Sequence, residues 1–189
     1  HLLASTRKIP TADRDLRSGK WTKKTLKGTE LSGKRIGFIG FGRIAQGVGR
    51  VAKAIGMELH AFDPYLPGEI ADEHHCKLHA DVNDVFRLCT HIAIHCNLSD
   101  ETHHLVNANT LAMMPGIGAD GTECGNHLVS CARGGIVNEN DVLAALEMEG
   151  LFHVDSVHRA DIGSIGAISQ RLLVHDRSAI DEPLDHGDV

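Results

Sequence analysis

The stretch from Ile36 to Asp63, IGFIGFGRIAQGVGRVAKAIGMELHAFD, contains the pattern that decides the fold. A short apolar run over Arg35–Ile39 leads into it and ends at Gly40. A second short run, Glu58–Phe62, ends at Asp63. Short apolar runs that end at punctuating residues are typical of strands buried on both faces of a parallel sheet. The stretch therefore predicts two parallel strands.

A helix is predicted between these two strands. Apolar residues recur there at the spacing i, i+4, i+7, i+8 and i+11, which forms one apolar face of a helix. They are Ile44, Val48, Val51, Ala52 and Ile55. Gly56 stands where a left-handed glycine commonly ends a helix. Strand, helix and strand in this order predict a right-handed crossover unit.

The turn between the first strand and the helix matches the pattern G-x-G-x-x-(G/A). Gly40 permits the tight turn, Gly42 lets the backbone approach a pyrophosphate, and small Ala45 lets the helix pack closely on the strand. The helix N-terminus offers free N–H groups and a partial positive charge to the phosphates. Arg43 adds a formal positive charge there. The sequence therefore predicts a dinucleotide site that includes Gly40, Gly42, Arg43 and Ile44.

Asp63 follows the second strand, 18 residues after Ala45. A carboxylate in this place can accept hydrogen bonds from the adenosine ribose hydroxyls, and it repels a 2′-phosphate. The sequence thus favours NAD over NADP. The alternative is that Asp63 only caps the chain before Pro64 and that the glycine turn binds no ligand.

Strands and helices continue to alternate after Asp63. Strands are predicted at residues 91–95, 127–130 and 151–157. Helices are predicted at residues 81–88, from Asn107 or Asn109 to Met114, and from Asn138 or Asn140 to Gly150. Residues 1–20 predict a helical segment and residues 20–34 a loop. This alternation predicts an α/β fold, a doubly wound parallel sheet between two helix layers.

Composition narrows the possible partners. The chain has 189 residues and a formal net charge of −6, which argues against a nucleic-acid partner. It contains no run of about 18 apolar residues and no opening signal peptide, so no membrane association is predicted. Because the chain starts at His1 and not at Met, we expect it to be one module of a longer protein.

The five cysteines and 14 histidines suggest no metal centre. The cysteine count is odd and no CxxC pair occurs, so reduced thiols in the cytoplasm are predicted in place of a disulfide framework. Doublets such as His74-His75 point their side chains in different directions and make poor pairs of metal ligands. We therefore predict solvated surface histidines, and a histidine-rich metal-binding protein is the alternative.

Three segments resemble motifs of the D-isomer-specific 2-hydroxyacid dehydrogenases, in the order of that family. The first is the glycine loop and helix within Ile36–Asp63. The second is His91–Thr102, HIAIHCNLSDET, which is similar to H-x-P-L-T-x-E-T. The third is Ser130–Val137, SCARGGIV, which is similar to N-x-A-R-G-G-x-V. The resemblance covers about residues 1–150.

The resemblance implies a Rossmann-type NAD-binding domain without its substrate domain, which the family builds mainly from sequence upstream. In these terms residues 1–34 are a truncated leading helix and loop, residues 35–157 the NAD-binding domain, and residues 158–189 an atypical tail. The family also commonly forms homodimers through this domain. Its reaction moves hydride between nicotinamide and C2 of a D-2-hydroxy acid or 2-keto acid.

Site residues are implied by the same resemblance. Arg133 occupies the position of the arginine that binds the substrate carboxylate and carbonyl, and Glu182 that of the glutamate that keeps a catalytic histidine basic. The aspartate near the nicotinamide is Asp155 or Asp181. Further cofactor contacts fall on Cys96, Cys131, Ala132 and Arg133.

The sequence departs from the family pattern in three places, one of which is Asn97, where the family usually has proline. The histidine segment P-H-I-G is absent, and Asp161 stands in the histidine position of the similar run Asp161–Ser164. The glycine-rich loop Gly116–Asn126 is several residues longer than the family turn. The second functional hypothesis is therefore a non-catalytic NAD-sensing dimerisation module of the corepressor type.

Overall fold

The computed structural model of this protein describes residues 1–147 and 152–156, which form seven helices and six strands. The strands are β1 (Arg35–Ile39), β2 (Glu58–Phe62), β3 (Cys76–His79), β4 (His91–Ile94), β5 (Asn126–Ser130) and β6 (Phe152–Ser156). The helices are α1 (Leu2–Thr6), α2 (Ile9–Arg17), α3 (Arg43–Ala54), α4 (Gly68–Glu73), α5 (Val82–Leu88), α6 (Ala108–Ala112) and α7 (Glu139–Glu147).

The six strands form one parallel sheet in the order β3-β2-β1-β4-β5-β6. The chain runs outward from β1 to β3, then crosses back through α5 to β4 and continues to the other edge. This confirms the doubly wound α/β prediction. The direction of winding reverses between β1 and β4, and ligands of such sheets bind in the crevice outside the carboxyl ends of the strands at this switch point.

Two apolar clusters cover the two faces of the sheet. One packs α3 against β1 and β2 around Phe38, Phe41 and Leu59. The other packs α5 and α6 on the opposite face around Ile39 and Phe86. Both layers touch the sheet closely because the strands are apolar on both sides, as a parallel sheet requires.

Helix α3 lies where the sequence predicts it, but its burial differs from the predicted apolar face. Only Ala52 of that face is buried, whereas Ile44 is 73% and Val51 59% exposed. The small residues Ala45, Gly49 and Ala52 face the sheet instead. Small side chains let the helix approach the strands closely, so the branched residues are left on the flank.

The amino-terminal part differs from the single predicted helical segment. It forms two helices, α1 and α2, because Lys8 adopts a left-handed conformation with φ of 53° between them. Helix α4 and edge strand β3 lie in residues 64–80, for which the sequence predicted no element. These two elements are short and only partly apolar, so they carry little periodic signal.

Two caps that the sequence left open are settled by the geometry. The Asn107 side chain accepts hydrogen bonds from the backbone N–H groups of Asn109 and Thr110 and so caps α6. The Asn138 side chain accepts hydrogen bonds from the backbone N–H groups of Asn140 and Asp141 at the start of α7. In both pairs the earlier asparagine is therefore the cap.

The loop Gly116–Asn126 folds back on itself, with an antiparallel bridge between Ile117 and Glu123. It is held to the start of β1 by Lys34, whose Nζ donates to Asp120 Oδ2 at 2.9 Å. The Lys34 side chain is only 2% exposed. Its ammonium and the N–H of Thr122 lower the pKa of Asp120 to about 2. The long loop is thus fixed at the edge of the sheet that carries the strand starts.

Candidate dinucleotide-binding site

The predicted cofactor residues come together at one edge of the sheet. Gly40 and Gly42 follow β1, Asp63 follows β2, Cys96 follows β4, and the segment starting at Cys131 follows β5. Parallel strands all end at the same edge, so residues far apart in sequence meet there. The crevice between β1 and β4 lies in the middle of this group.

The glycine loop is shaped by Gly40. Its φ of +84° lies in the left-handed region, which glycine adopts without steric cost. Its N–H donates to Phe62 O at 2.9 Å. A Cβ at this position would lie 2.8 Å from Cys96 N and 2.9 Å from Cys96 Cα. The loop therefore rests on the chain that leaves β4, and only glycine fits the contact.

Gly42 has the opposite surroundings. It is the N-cap of α3 with extended backbone angles, φ −72° and ψ −173°, and a Cβ built on it would meet no atom within 4 Å. Gly42 has no side chain to cap the helix, so the first N–H groups of α3 lie uncapped by it beside this open space. The exposed Arg43 and Ile44 adjoin it. An open cradle at an uncapped helix N-terminus fits the pyrophosphate of NAD.

Asp63 does more than the sequence predicts. Its Oδ2 accepts from the N–H of Phe41 at 2.9 Å, and its Oδ1 accepts from the N–H of Tyr65 at 3.0 Å. The carboxylate thus caps the chain after β2 and also ties the glycine loop to it. The contact with Phe41 spans 22 residues, so no local sequence pattern could reveal it.

The loop after β4 forms the other wall of the crevice. Burial raises the pKa of the Cys96 thiol and lowers the pKa of His95 beside it. The His95 ring packs near Phe38, with the ring centroids 6.1 Å apart. The backbone N–H of His95 donates to Ile39 O at 2.8 Å. Both side chains therefore favour their neutral forms, and this wall contributes little charge to the crevice.

Arg133 lies in the turn after β5. Its side chain is exposed, and it has no ion pair or side-chain hydrogen bond to any residue that the structure describes. Ala132 before it is buried, whereas Cys131 is exposed. Gly135 turns the chain with φ of +82°, and its carbonyl accepts from His104 N–H at 2.7 Å. Buried Ala132 and the hydrogen bond to Gly135 thus fix the turn on both sides of Arg133, and the guanidinium is exposed between them.

The remaining predicted residues are only partly placed. Asp155 lies in β6, where it pairs with Val129 of β5, one residue before the strand ends. Asp181 and Glu182 lie outside the described residues, as does the whole tail 158–189. The choice between Asp155 and Asp181 stays open.

Three histidines in the described part of the chain lie in the interior, in contrast to the sequence prediction. His60, His91 and His127 are buried, so the prediction of solvated surface histidines is wrong for these three. His91 and His127 stack across β4 and β5 with ring centroids 4.6 Å apart. Among residues 1–147 and 152–156, no group of three or more His, Cys, Asp or Glu is arranged to hold a metal ion. Within these residues no helix is long and apolar enough to span a bilayer.

The buried His60 makes folding stability depend on pH. Burial, together with the nearby His79, Arg35 and Lys77 and against the opposing charge of Glu58, lowers the pKa of His60 to about 4. The unfolded chain, with a histidine pKa near 6.5, therefore binds more protons between these values. The contribution of neutral His60 to the free energy of unfolding is therefore fully present above about pH 6.5. It is lost progressively as the pH drops towards 4.

We expect this residue to contribute about 2 kcal/mol of lost stability between pH 7.5 and pH 5, since one pKa unit corresponds to about 1.4 kcal/mol. Urea unfolding at both pH values measures it. The variant His60→Gln should show a smaller loss, whereas His103→Gln, at an exposed position, should behave as the original chain does. Equal losses in all three proteins contradict the assignment.

Comparison with known proteins agrees with this geometry. Residues 1–156 match the family model of the D-isomer specific 2-hydroxyacid dehydrogenase, NAD binding domain. The chain is 37% identical over 146 residues to D-3-phosphoglycerate dehydrogenase of Methanocaldococcus jannaschii, which covers 77% of the chain and 26% of that protein. It is 37% identical over 139 residues to hydroxypyruvate reductase of Thermotoga maritima, covering 73% of the chain and 41% of that protein.

Solved structures show the same likeness. The D-lactate dehydrogenase of Escherichia coli superposes with a TM-score of 0.71 at 28% identity, covering 82% of this chain and 47% of that one. The Salmonella D-lactate dehydrogenase gives 0.75 at 25% identity, over 92% and 53%. The chain spans about a quarter of the length of the D-3-phosphoglycerate dehydrogenases it matches. With the family model matched over residues 1–156 and the glycine loop in its expected place, the chain belongs to the D-isomer specific 2-hydroxyacid dehydrogenase family as an NAD-binding domain.

Proposed function

We propose that this chain is the cofactor half of an oxidoreductase that moves hydride between nicotinamide and C2 of a D-2-hydroxy acid or 2-keto acid. The observation that carries the proposal is the exposed Arg133, at the sheet edge where the parallel strands end. No residue in the described part of the chain forms an ion pair with its guanidinium. Several relatives are named for dehydrogenation or reduction of small acids, such as D-3-phosphoglycerate dehydrogenase and hydroxypyruvate reductase.

Arg133 is suited to a substrate carboxylate and carbonyl. A guanidinium presents planar donors that bind two oxygens at once, and it stays charged at any working pH. Strand β5 is two strands from β1, so its end lies about 10 Å across the sheet edge from the glycine loop at 4.8 Å per strand. This places the arginine beside the crevice and not over the pyrophosphate cradle.

The cofactor is held by the residues around that crevice. Gly42, Arg43 and Ile44 receive the pyrophosphate, while Gly40 keeps the loop in place. Asp63 accepts from the ribose hydroxyls. Loop residues after β4 and β5 line the rest of the cofactor, namely Cys96, Cys131, Ala132 and Arg133. When bound, the nicotinamide ring supplies the hydride acceptor or donor.

Proton transfer depends on residues beyond those described. Glu182 is proposed as the carboxylate that raises the pKa of a histidine general acid and base. Asp155 or Asp181 contacts the nicotinamide end. The substrate domain and the histidine are proposed to come from other parts of the protein, so the 189-residue chain by itself turns over no substrate. Five free thiols favour a reducing, cytoplasmic setting.

The test is oxidation of NADH, followed at its absorbance, by the full-length protein that contains this chain with a panel of small 2-keto acids. Turnover with at least one of them supports the proposal. NAD binding without turnover on any acid replaces it with the non-catalytic NAD-sensing alternative. Absence of NAD binding overturns both.

Replacing Asp63 with alanine is expected to narrow the preference for NAD over NADP about tenfold, because the ribose loses a charged acceptor and the 2′-phosphate loses its repulsion. The Phe41 N–H also loses its partner, so affinity for both cofactors should fall somewhat. Calorimetric titration with each cofactor measures the ratio. The matched variant Asp63→Asn keeps an oxygen acceptor for Phe41, and it should separate the loss of charge from loosening of the loop.

A homodimer is the second proposed property of this domain. The exposed flank of α3, made of Ile44, Val48, Val51 and Ile55, has no described residue covering it. Apolar residues rarely line up on a helix flank in solution unless a partner covers them. Trp21 and Leu16 in the segment before β1 are exposed as well. A second copy of the chain is the proposed partner.

The variant Val51→Asp should raise the dimer dissociation constant at least about tenfold, since it buries a charge in an apolar contact. The control Lys53→Glu changes charge on the opposite flank of the same helix and should leave the dimer intact. Sedimentation equilibrium reports both. A wild-type chain that stays monomeric near 100 µM, a concentration at which even weak dimers form, excludes the dimer.

A further inference from the structure

Two adjoining cavities lie beside the end of α3, with volumes of about 400 and 550 Å³, and both have Lys53 and His75 in their walls. The first lies at the starts of β2 and β3, and the second runs between α3 and α4 as far as Gln46, whose Nε2 donates to Phe41 O in the glycine loop. Together they form a groove between α3 on one side and α4 and β3 on the other, which we call the α3–β3 groove. Each cavity has the size of a typical small-molecule site.

Four cations line the α3–β3 groove, and three of them, Arg50, Lys53 and Lys77, lie apart from the Arg35–Glu58 ion pair. Arg50 and Lys53 are three residues apart on α3 and therefore neighbours on one side of the helix. Lys77 comes from β3. None of the three side chains has a hydrogen bond or ion pair with a residue in the described part of the chain. Arg50 belongs to the second cavity, Lys77 to the first, and Lys53 to both.

The acidic residues of the groove only partly offset these cations. Glu58 Oε2 accepts from Arg35 Nε at 2.9 Å, so that carboxylate is engaged. Glu73 lines only the second cavity. A surplus of positive charge is thus concentrated here, although the whole chain has a formal charge of −6.

The floor of the first cavity is different in character. Met57 and Leu59 line it, and each is only 4% exposed. Cationic walls over an apolar floor suit a ligand with a carbon skeleton and charged ends, because the skeleton buries apolar surface while the ends meet the ammonium groups. Inorganic ions gain nothing from such a floor.

We infer that the α3–β3 groove binds a small organic polyanion that carries two phosphate or carboxylate groups, one for each cavity. Lys53 stands between the two ends, with Lys77 and Arg50 on either side. The first cavity is separate from the cofactor crevice, since β2 runs from Glu58 at that cavity to Phe62 at the crevice. Four residues of strand span about 13 Å. The inference does not depend on the proposed reaction.

The experiment is a titration of the full 189-residue chain followed by amide ¹H–¹⁵N spectra. The probes are citrate and fructose 1,6-bisphosphate, which present carboxylates and phosphates respectively on a carbon skeleton. Inorganic phosphate serves as the skeleton-free comparison. Site-resolved shifts separate the groove, at residues 53, 57 and 77, from the glycine loop at residues 40–45.

We expect saturable shifts in the groove with a dissociation constant below about 1 mM for at least one organic probe, and weaker binding of phosphate. The double variant Lys53→Met, Lys77→Met should weaken that binding about tenfold or more. The matched control Lys24→Met, Lys27→Met removes the same charge from the exposed segment before β1 and should bind normally.

Two results overturn the inference. One is a set of groove shifts that stay linear up to about 20 mM for every organic probe, which is far above useful affinity. The other is equal weakening in the groove variant and the control variant, which means that only net charge matters. All four replaced lysines are exposed, so the variants should fold as the original chain does.

Discussion

Replacing Arg133 with alanine is expected to lower kcat/KM for 2-keto acids about a hundredfold or more in the full-length protein. The substrate loses two charge-assisted hydrogen bonds, each worth about 1.5–3 kcal/mol. Part of this loss falls on kcat, because the carbonyl oxygen gains negative charge as hydride arrives and the guanidinium is proposed to stabilise it.

Steady-state kinetics at saturating NADH measure this loss. NAD affinity should fall much less than kcat/KM, since Arg133 lies about two strand spacings, near 10 Å, from the glycine loop that holds the pyrophosphate. Arg133→Lys is the matched variant, and it should recover only part of the rate because an ammonium cannot bind two oxygens in one plane. If alanine leaves kcat/KM unchanged, Arg133 does not bind the substrate.

Replacing Gly42 with alanine is expected to weaken NAD binding up to about a hundredfold with little change in thermal stability. A methyl group there meets nothing in the chain, and the backbone angles suit alanine. It would occupy the space that a pyrophosphate needs, so charge-assisted bonds to the helix N–H groups are lost, at about 1.5–3 kcal/mol each.

Gly40→Ala is the contrasting variant in the same loop. Its methyl group would press on the backbone of Cys96, and its φ of +84° strains any residue with a Cβ. We expect a loss of about 1–3 kcal/mol in the free energy of unfolding together with weaker NAD binding. Calorimetric NAD titration and urea unfolding on both variants make the comparison.

The two variants should differ in stability, although both should weaken NAD binding. Loss of affinity without loss of stability at Gly42 shows that the space beside it belongs to the ligand. If Gly42→Ala binds NAD as tightly as the original chain, the pyrophosphate lies elsewhere. If Gly40→Ala is as stable as the original chain, the contact with Cys96 is looser than the geometry indicates.

Much of the fold could be predicted because its signals are local. The runs at β1, β2, β4 and β5 are short and apolar, and the glycine pattern follows a strand and opens a helix. Helix α4 and strand β3 could not be predicted, because six-residue and four-residue elements with mixed polarity resemble loops. The break at Lys8 likewise has no sequence signal, since lysine rarely adopts positive φ.

The candidate site divides in the same way. Motif spacing identified Gly40, Gly42 and Asp63, and family resemblance identified Arg133. Neither could show that Asp63 also holds the glycine loop, because the partner Phe41 N–H is distant in sequence and belongs to the backbone. The α3–β3 groove depends on bringing the end of α3 beside β3, which only the folded chain does.

By itself the sequence determined the parallel α/β architecture and the dinucleotide loop, because these depend on periodicity and on glycines at fixed spacing. The family followed from the resemblance of three motifs. The tertiary structure decided which side of α3 is buried. Helical periodicity shows that Ile44, Val48 and Val51 share a face, but not what that face meets. Close approach to the sheet selects the small side chains of Ala45, Gly49 and Ala52, and the branched residues are left exposed on the flank of the helix.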